Sequence, residues 1–144
     1  MKLAKALKVK NSVINEIQVL KDIIAANNVN LTKNINPYDI NERMDELNTK
    51  IEELATLKGN ISKANIGIYN KIFRIAEYKG MITYLKTIPT TNGISVKETY
   101  NQTVEVEYSA SIKDIDVKNL IKIFTKKIEI LQDEIDGYNA TKEI

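Results

Sequence analysis

The last stretch of the chain constrains the fold most. From Asp116 to Ile144, Val117, Ile121, Phe124, Ile128, Leu131, Ile135 and Tyr138 recur at alternating steps of four and three. An apolar heptad held for that length marks a helix that packs lengthwise on another helix. It calls for a helical bundle or coiled coil and carries no particular chemistry.

The same rhythm occurs twice more. Leu3, Ala6, Val13, Ile17, Leu20 and Ile24 form a seam in a helix over residues 2–25, interrupted by Lys10. Leu7 and Ile14 lie beside that seam and widen the stripe to bundle width. In a second helix, over 38–65, Ile40, Met44, Leu47, Ile51, Leu54 and Ile61 keep the step, with Lys58 at the one polar place. Pro37 suits its first turn, where an N–H has no intrahelical acceptor. Asp39, Glu42, Asp45 and Glu46 gather there too, at the end that favours negative charge. Between the two helices the asparagines from Asn27 to Asn36 compete for their own backbone, which makes a loop.

A third helix is expected over 70–88, on Ile72, Ile75, Ala76, Ile82 and Leu85, and Pro89 ends it. Gly67 and Asn70 put a turn at 65–70; one bent helix over 38–88 is the alternative. Beyond the turn residues Pro89 to Gly93, Ile94-Ser95-Val96 and the alternating Val104–Tyr108 read as two strands. A reversal near Tyr100-Asn101-Gln102 makes them a β-hairpin at 94–110. A lone hairpin is marginal in water, so it needs cover from the helices or from another subunit's hairpin. Asp116 is expected to N-cap the fourth helix, 116–138, with Ile115 and Leu120 at the hydrophobic-staple positions. The expected fold is therefore mainly α. It is an antiparallel helical bundle or coiled-coil hairpin of three to four helices in one domain, 1–144, with a small β-hairpin inserted before the last helix.

The composition narrows the function. Cysteine and histidine are both absent, which removes thiolate chemistry and the commonest acid–base group and metal ligand. Asp114/Asp116 and Asp133/Glu134/Asp136 read as caps and solvated helix faces rather than a cation site or a hydrolase pair. The glycines are scattered and form no phosphate loop. The expectation is a non-enzyme with no catalytic, cofactor-binding or metal-binding residues. No apolar run reaches the length of a membrane span, no signal-peptide pattern opens the chain, and absent cysteine suits the cytoplasm.

Net charge is only +2, and the basic Lys118–Lys127 stretch is cancelled from Glu129 onward, so nucleic acid is not an expected partner. Charge alternates in sign along the chain, positive over 1–36 and 67–100, negative over 37–66 and 101–144. Lysines at the start of the first and last helices, and acids at the end of the last, oppose the helix dipole. An antiparallel partner helix would compensate them. A homo-oligomer, specifically a dimer, is the expectation that follows. The second reading is a membrane-associated protein lying on an anionic surface through its cationic, amphipathic first helix.

Three segments carry a family resemblance: Met1-Lys2-Leu3-Ala4-Lys5-Ala6-Leu7, Asn60-Ile61-Ser62-Lys63-Ala64-Asn65 and Asn139-Ala140-Thr141-Lys142-Glu143-Ile144. With Asp116-Val117, they resemble the small bacterial proteins called septicolysin-like. Ala140 stands where tryptophan is usual in that family, Ser62 where asparagine is, and Ala64 where threonine is. The resemblance implies a small, mostly helical protein with a coiled-coil hairpin and no particular activity. It singles out Asn65, Asn139, Thr141 and Glu143 as family-matched polar positions. Buried asparagines beside a heptad seam also fix register. An enzymatic reading would need a polar pocket containing Asn65 or Glu143.

Overall fold

The computed structural model describes all residues, 1–144. It contains four α-helices, α1 (Leu3–Asn27), α2 (Ile40–Ala64), α3 (Tyr69–Leu85) and α4 (Asp114–Thr141). An antiparallel β-hairpin of β1 (Gly93–Thr99) and β2 (Gln102–Tyr108) precedes the last helix. The mainly helical fold with an inserted hairpin is as the sequence indicates. The chain forms two compact units, one of residues Met1–Tyr69 with Asp136–Ile144 and the other of Asn70–Ile135.

In the first unit α1 and α2 pack antiparallel, and the seam of α1 is the expected one: Leu3, Ala6, Val13, Ile17 and Leu20 are all buried. Ile14 does not widen it, being 40% exposed. The seam of α2 differs from the expectation at every second step. Ile40, Leu47, Leu54 and Ile61 face α1, but Arg43, Lys50 and Leu57 alternate with them, and Met44, Ile51 and Lys58 lie outside. Both steps fit a heptad, so spacing alone does not separate them. The two cations qualify because their aliphatic stems lie along the seam while their heads reach acids at its edge. Arg43 bonds Glu46 at 2.8 Å, and Lys50 reaches Glu16 of α1 at 2.8 Å and Glu53 at 3.3 Å. The Lys50 hydrogen bond lowers the Glu16 carboxyl, and Glu16 in turn raises the Lys50 ammonium.

Local chemistry explains the helix ends. Asp39 is the N-cap of α2, its carboxylate accepting the Glu42 N–H at 3.2 Å, and Pro37 stays outside the helix rather than in its first turn. The asparagine loop is stitched by its own amides, with Asn30 and Asn36 side chains both donating to the Asn27 carbonyl. A 3₁₀ turn at Asn65–Gly67 separates α2 from α3, so residues 38–88 are two helices.

In the second unit α3 and α4 run antiparallel. Lys71 pairs with Glu134 at 2.9 Å, and the Tyr78 and Phe124 rings lie 5.6 Å apart with the Lys127 ammonium over both. Tyr78 takes the seam place expected of Ala76, which is exposed. The heptad of α4 is as read: Val117 and Ile135 are buried, and Ile121, Phe124, Ile128 and Leu131 half-buried. Asp116 is not the N-cap. The helix starts at Asp114, and the Asp116 carboxylate reaches back to the Lys113 N–H at 2.9 Å, which is the acidic half of a capping box. Ile115 consequently falls inside the first turn, 60% exposed, and forms no staple. The Lys71–Glu134 pair also supplies, within the chain, part of the compensation that the acidic end of α4 demands.

The hairpin turns on Tyr100 and Asn101, both with positive φ (51° and 63°), the backbone of a type I′ turn. Asn92-Gly93 closes its base: the Asn92 side chain accepts the Ala110 N–H at 3.0 Å, and Gly93 takes φ of +100°.

Candidate functional site

The three segments that carry the resemblance come from the beginning, middle and end of the chain, and the first unit gathers them at one end of the α1/α2 hairpin. α1 begins there and α2 finishes there because the two helices are antiparallel. The last residues of α4 return to the same place. Leu3 and Ala6, both 0% exposed, pack with Leu57, Ile61 and Ala64, and Leu7, Tyr138 and Ile144 close the cluster.

The chain ends are tied by backbone as well as side chains. The Leu3 N–H donates to the Lys142 carbonyl at 2.8 Å and the Ile144 N–H to the Met1 carbonyl at 3.1 Å, with Lys2 and Glu143 paired antiparallel between them. The Glu143 carboxylate then receives two cations, Lys2 Nζ at 2.6 Å and the N-terminal ammonium at 2.9 Å. The Lys2 Nζ also donates to the Thr141 carbonyl at 3.3 Å. These contacts, that of Lys2 first, hold the Glu143 carboxyl down to about 2.

That shift predicts a pH dependence. A carboxyl lowered on folding contributes stability that is complete above its unfolded value, near 4.5, and lost as pH falls toward 2. Glu143→Gln is therefore expected to separate from the parent in chemical denaturation at neutral pH, with the gap closing between pH 4.5 and 2. A gap that keeps the same size across that window would show that the ionised Glu143 carboxylate adds nothing.

The other singled-out residues hold the same end of the unit. Asn65 caps α2: its N–H bonds the Ile61 carbonyl, and its own carbonyl accepts the Ile68 N–H at 2.9 Å. The Thr141 hydroxyl donates to the Gly137 carbonyl at 3.0 Å, within its own helix. Asn139 is half-buried, and its amide oxygen is buried with no hydrogen-bond partner. Glu143 lines a depression of about 350 Å³ with Asn60, Lys63, Ala64, Lys142 and Ile144, and Asn65 does not. Of the acids of α4, Asp114 pairs with Lys118 at 2.8 Å and Glu134 with Lys71 at 2.9 Å.

Tyr138 was legible only as a seam residue, yet it joins the segments. Its hydroxyl donates to the Ala64 carbonyl at 2.7 Å, and a Cβ built on Gly67 would stand 3.0 Å from that hydroxyl. Gly67→Ala is expected to displace the ring and cost about 1 kcal/mol, the worth of one hydrogen bond. Tyr138→Phe removes the same bond, so the double variant should cost little more than either single one. Full additivity in a double-mutant cycle would contradict the coupling. The motif segments were a signal for this cluster, but the side chains that knit it are mostly apolar.

Comparison of the chain with family models, with curated proteins and with solved structures returns no match.

Proposed function

We propose that this chain is a non-enzymatic, self-associating helical module of the bacterial septicolysin-like kind, serving a structural or protein-interaction role in the cytoplasm. The observation that carries the reading is the set of large apolar residues that line helices in rows on the outside. Ile14, Met44 and Ile51 stand on the first unit at 40–42% exposure, and Ile123 and Ile130, one heptad apart on α4, at 51% and 48%. Rows along helices suit further helices as partners. No helix of the chain is long and apolar enough to cross a membrane. The membrane-surface reading requires α1 to give up its seam, in which Leu3 and Val13 are 0% and 2% exposed.

Co-sedimentation with anionic lipid vesicles tests the choice. The folded protein is expected to remain in the supernatant at low salt. Pelleting with the vesicles that is reversed by high salt would overturn the proposal in favour of a membrane-associated protein.

A further inference from the structure

We infer that two copies of this chain associate face to face through an acid-free strip on the α1/α2 hairpin, centred on Ile14 and Ile51. The inference rests on the self-association proposed above and names the surface that would carry it.

In an antiparallel helix pair the seam is flanked by two different grooves, one on each side. Here the two sides are chemically opposite. Glu16, Glu46 and Glu53 lie along one, and the seam cations Arg43 and Lys50 both swing toward it. The other flank carries Leu7, Ile14 and Lys21 of α1 beside Met44, Ile51 and Lys58 of α2. The row that borders them holds only asparagine, glutamine, alanine and serine. Every acid of both helices falls elsewhere.

The Glu16–Lys50 pair fixes the antiparallel register. It sets Ile14 level with Ile51 within about a turn, Leu7 with Lys58, and Lys21 with Met44. The two lysines thus occupy opposite corners of the strip, and the apolar residues occupy its centre and other corners. A two-fold axis in the plane of contact, along or across the helices, lays each lysine over a Leu7 or Met44 of the other copy. No lysine meets a lysine, and the aliphatic stems add to the contact. An acidic partner would find only two cations here, and an identical strip finds an uncharged centre that matches its own.

The dimensions suffice. From Ala4 to Ala25 of α1 the strip is about 30 Å long at 1.5 Å per residue, and two helices side by side span roughly 20 Å. Two such faces together bury about 1,200 Å², the lower end of the range for a stable dimer. The product is a four-helix layer in which Ile14 and Ile51, exposed in the single chain, become core.

The experiment is sedimentation velocity on the full chain and three variants, with helicity checked by circular dichroism. Ile14→Glu/Ile51→Glu places two charges at the centre of the strip and is expected to weaken association on the order of 100-fold. Asn48→Glu, at an exposed position on the same side, should weaken it in the same direction. Val19→Glu, 56% exposed on the acid-lined side, should leave it unchanged. An associating parent whose strip variants associate as tightly, or whose Val19→Glu variant alone falls apart, overturns this surface and leaves self-association standing. A parent that stays monomeric overturns both.

Discussion

Replacing Leu3 by alanine is expected to destabilise the first unit by about 2–5 kcal/mol, the range for truncating a fully buried leucine. A third residue would ordinarily be expendable, because chain termini fray. Here the side chain is 0% exposed among Leu57, Ile61 and Ala64, and its N–H is held by the Lys142 carbonyl. Truncation opens a cavity under the point where both chain ends are tied. Ile144 and Tyr138, which close the cluster, are themselves held by the Ile144 N–H bond to Met1 and the Tyr138 hydroxyl bond to Ala64. Urea unfolding followed by circular dichroism measures the loss. A change below about 0.5 kcal/mol, the size of an ordinary surface substitution, would mean that the ends are loose and the clasp is decorative.

The second large effect distinguishes the two seams that the sequence of α2 permits. Leu57→Ala should cost about 2–4 kcal/mol, because Leu57 is packed against Leu3 and Ala6 at 9% exposure. Ile51→Ala should cost under about 1 kcal/mol in the monomer, since Ile51 is 42% exposed. If Met44, Ile51 and Lys58 formed the seam, the order would reverse. Comparing the two variants by denaturation at concentrations where only monomer is present therefore reads out the rotation of α2 about its axis.

That ambiguity also shows what a sequence displays and what it conceals. The heptad of α4 was fully legible, because its seam residues are all apolar and its flanks mostly polar. In α2 the seam holds Arg43 and Lys50, while apolar Met44 and Ile51 lie outside, so counting apolar residues selects the wrong alternate step. The deciding fact is tertiary: Glu16 waits on α1 for the Lys50 ammonium. The β-hairpin was legible from alternation, and its turn from position, although Tyr100 and Asn101 take their positive φ without a glycine. The start of α4 was misplaced because Asp116 caps from inside the helix rather than from its edge.

The terminal cluster was legible only in outline. Sequence motifs pointed to three short segments but not to their meeting, which depends on α1 and α2 being antiparallel and on α4 returning to their shared end. Asn65 and Thr141 act there through ordinary capping and intrahelical bonds. Glu143 acquires its low pKa from Lys2 and the N-terminal ammonium, at the other end of the chain. No local pattern announces such a pair.

The account as a whole stands on self-association, and sedimentation equilibrium across a micromolar dilution series tests it most directly. The predicted result is a mass approaching twice the 16.4 kDa of one chain at the upper concentrations and falling toward the single-chain value on dilution. A mass of 16.4 kDa throughout would contradict it.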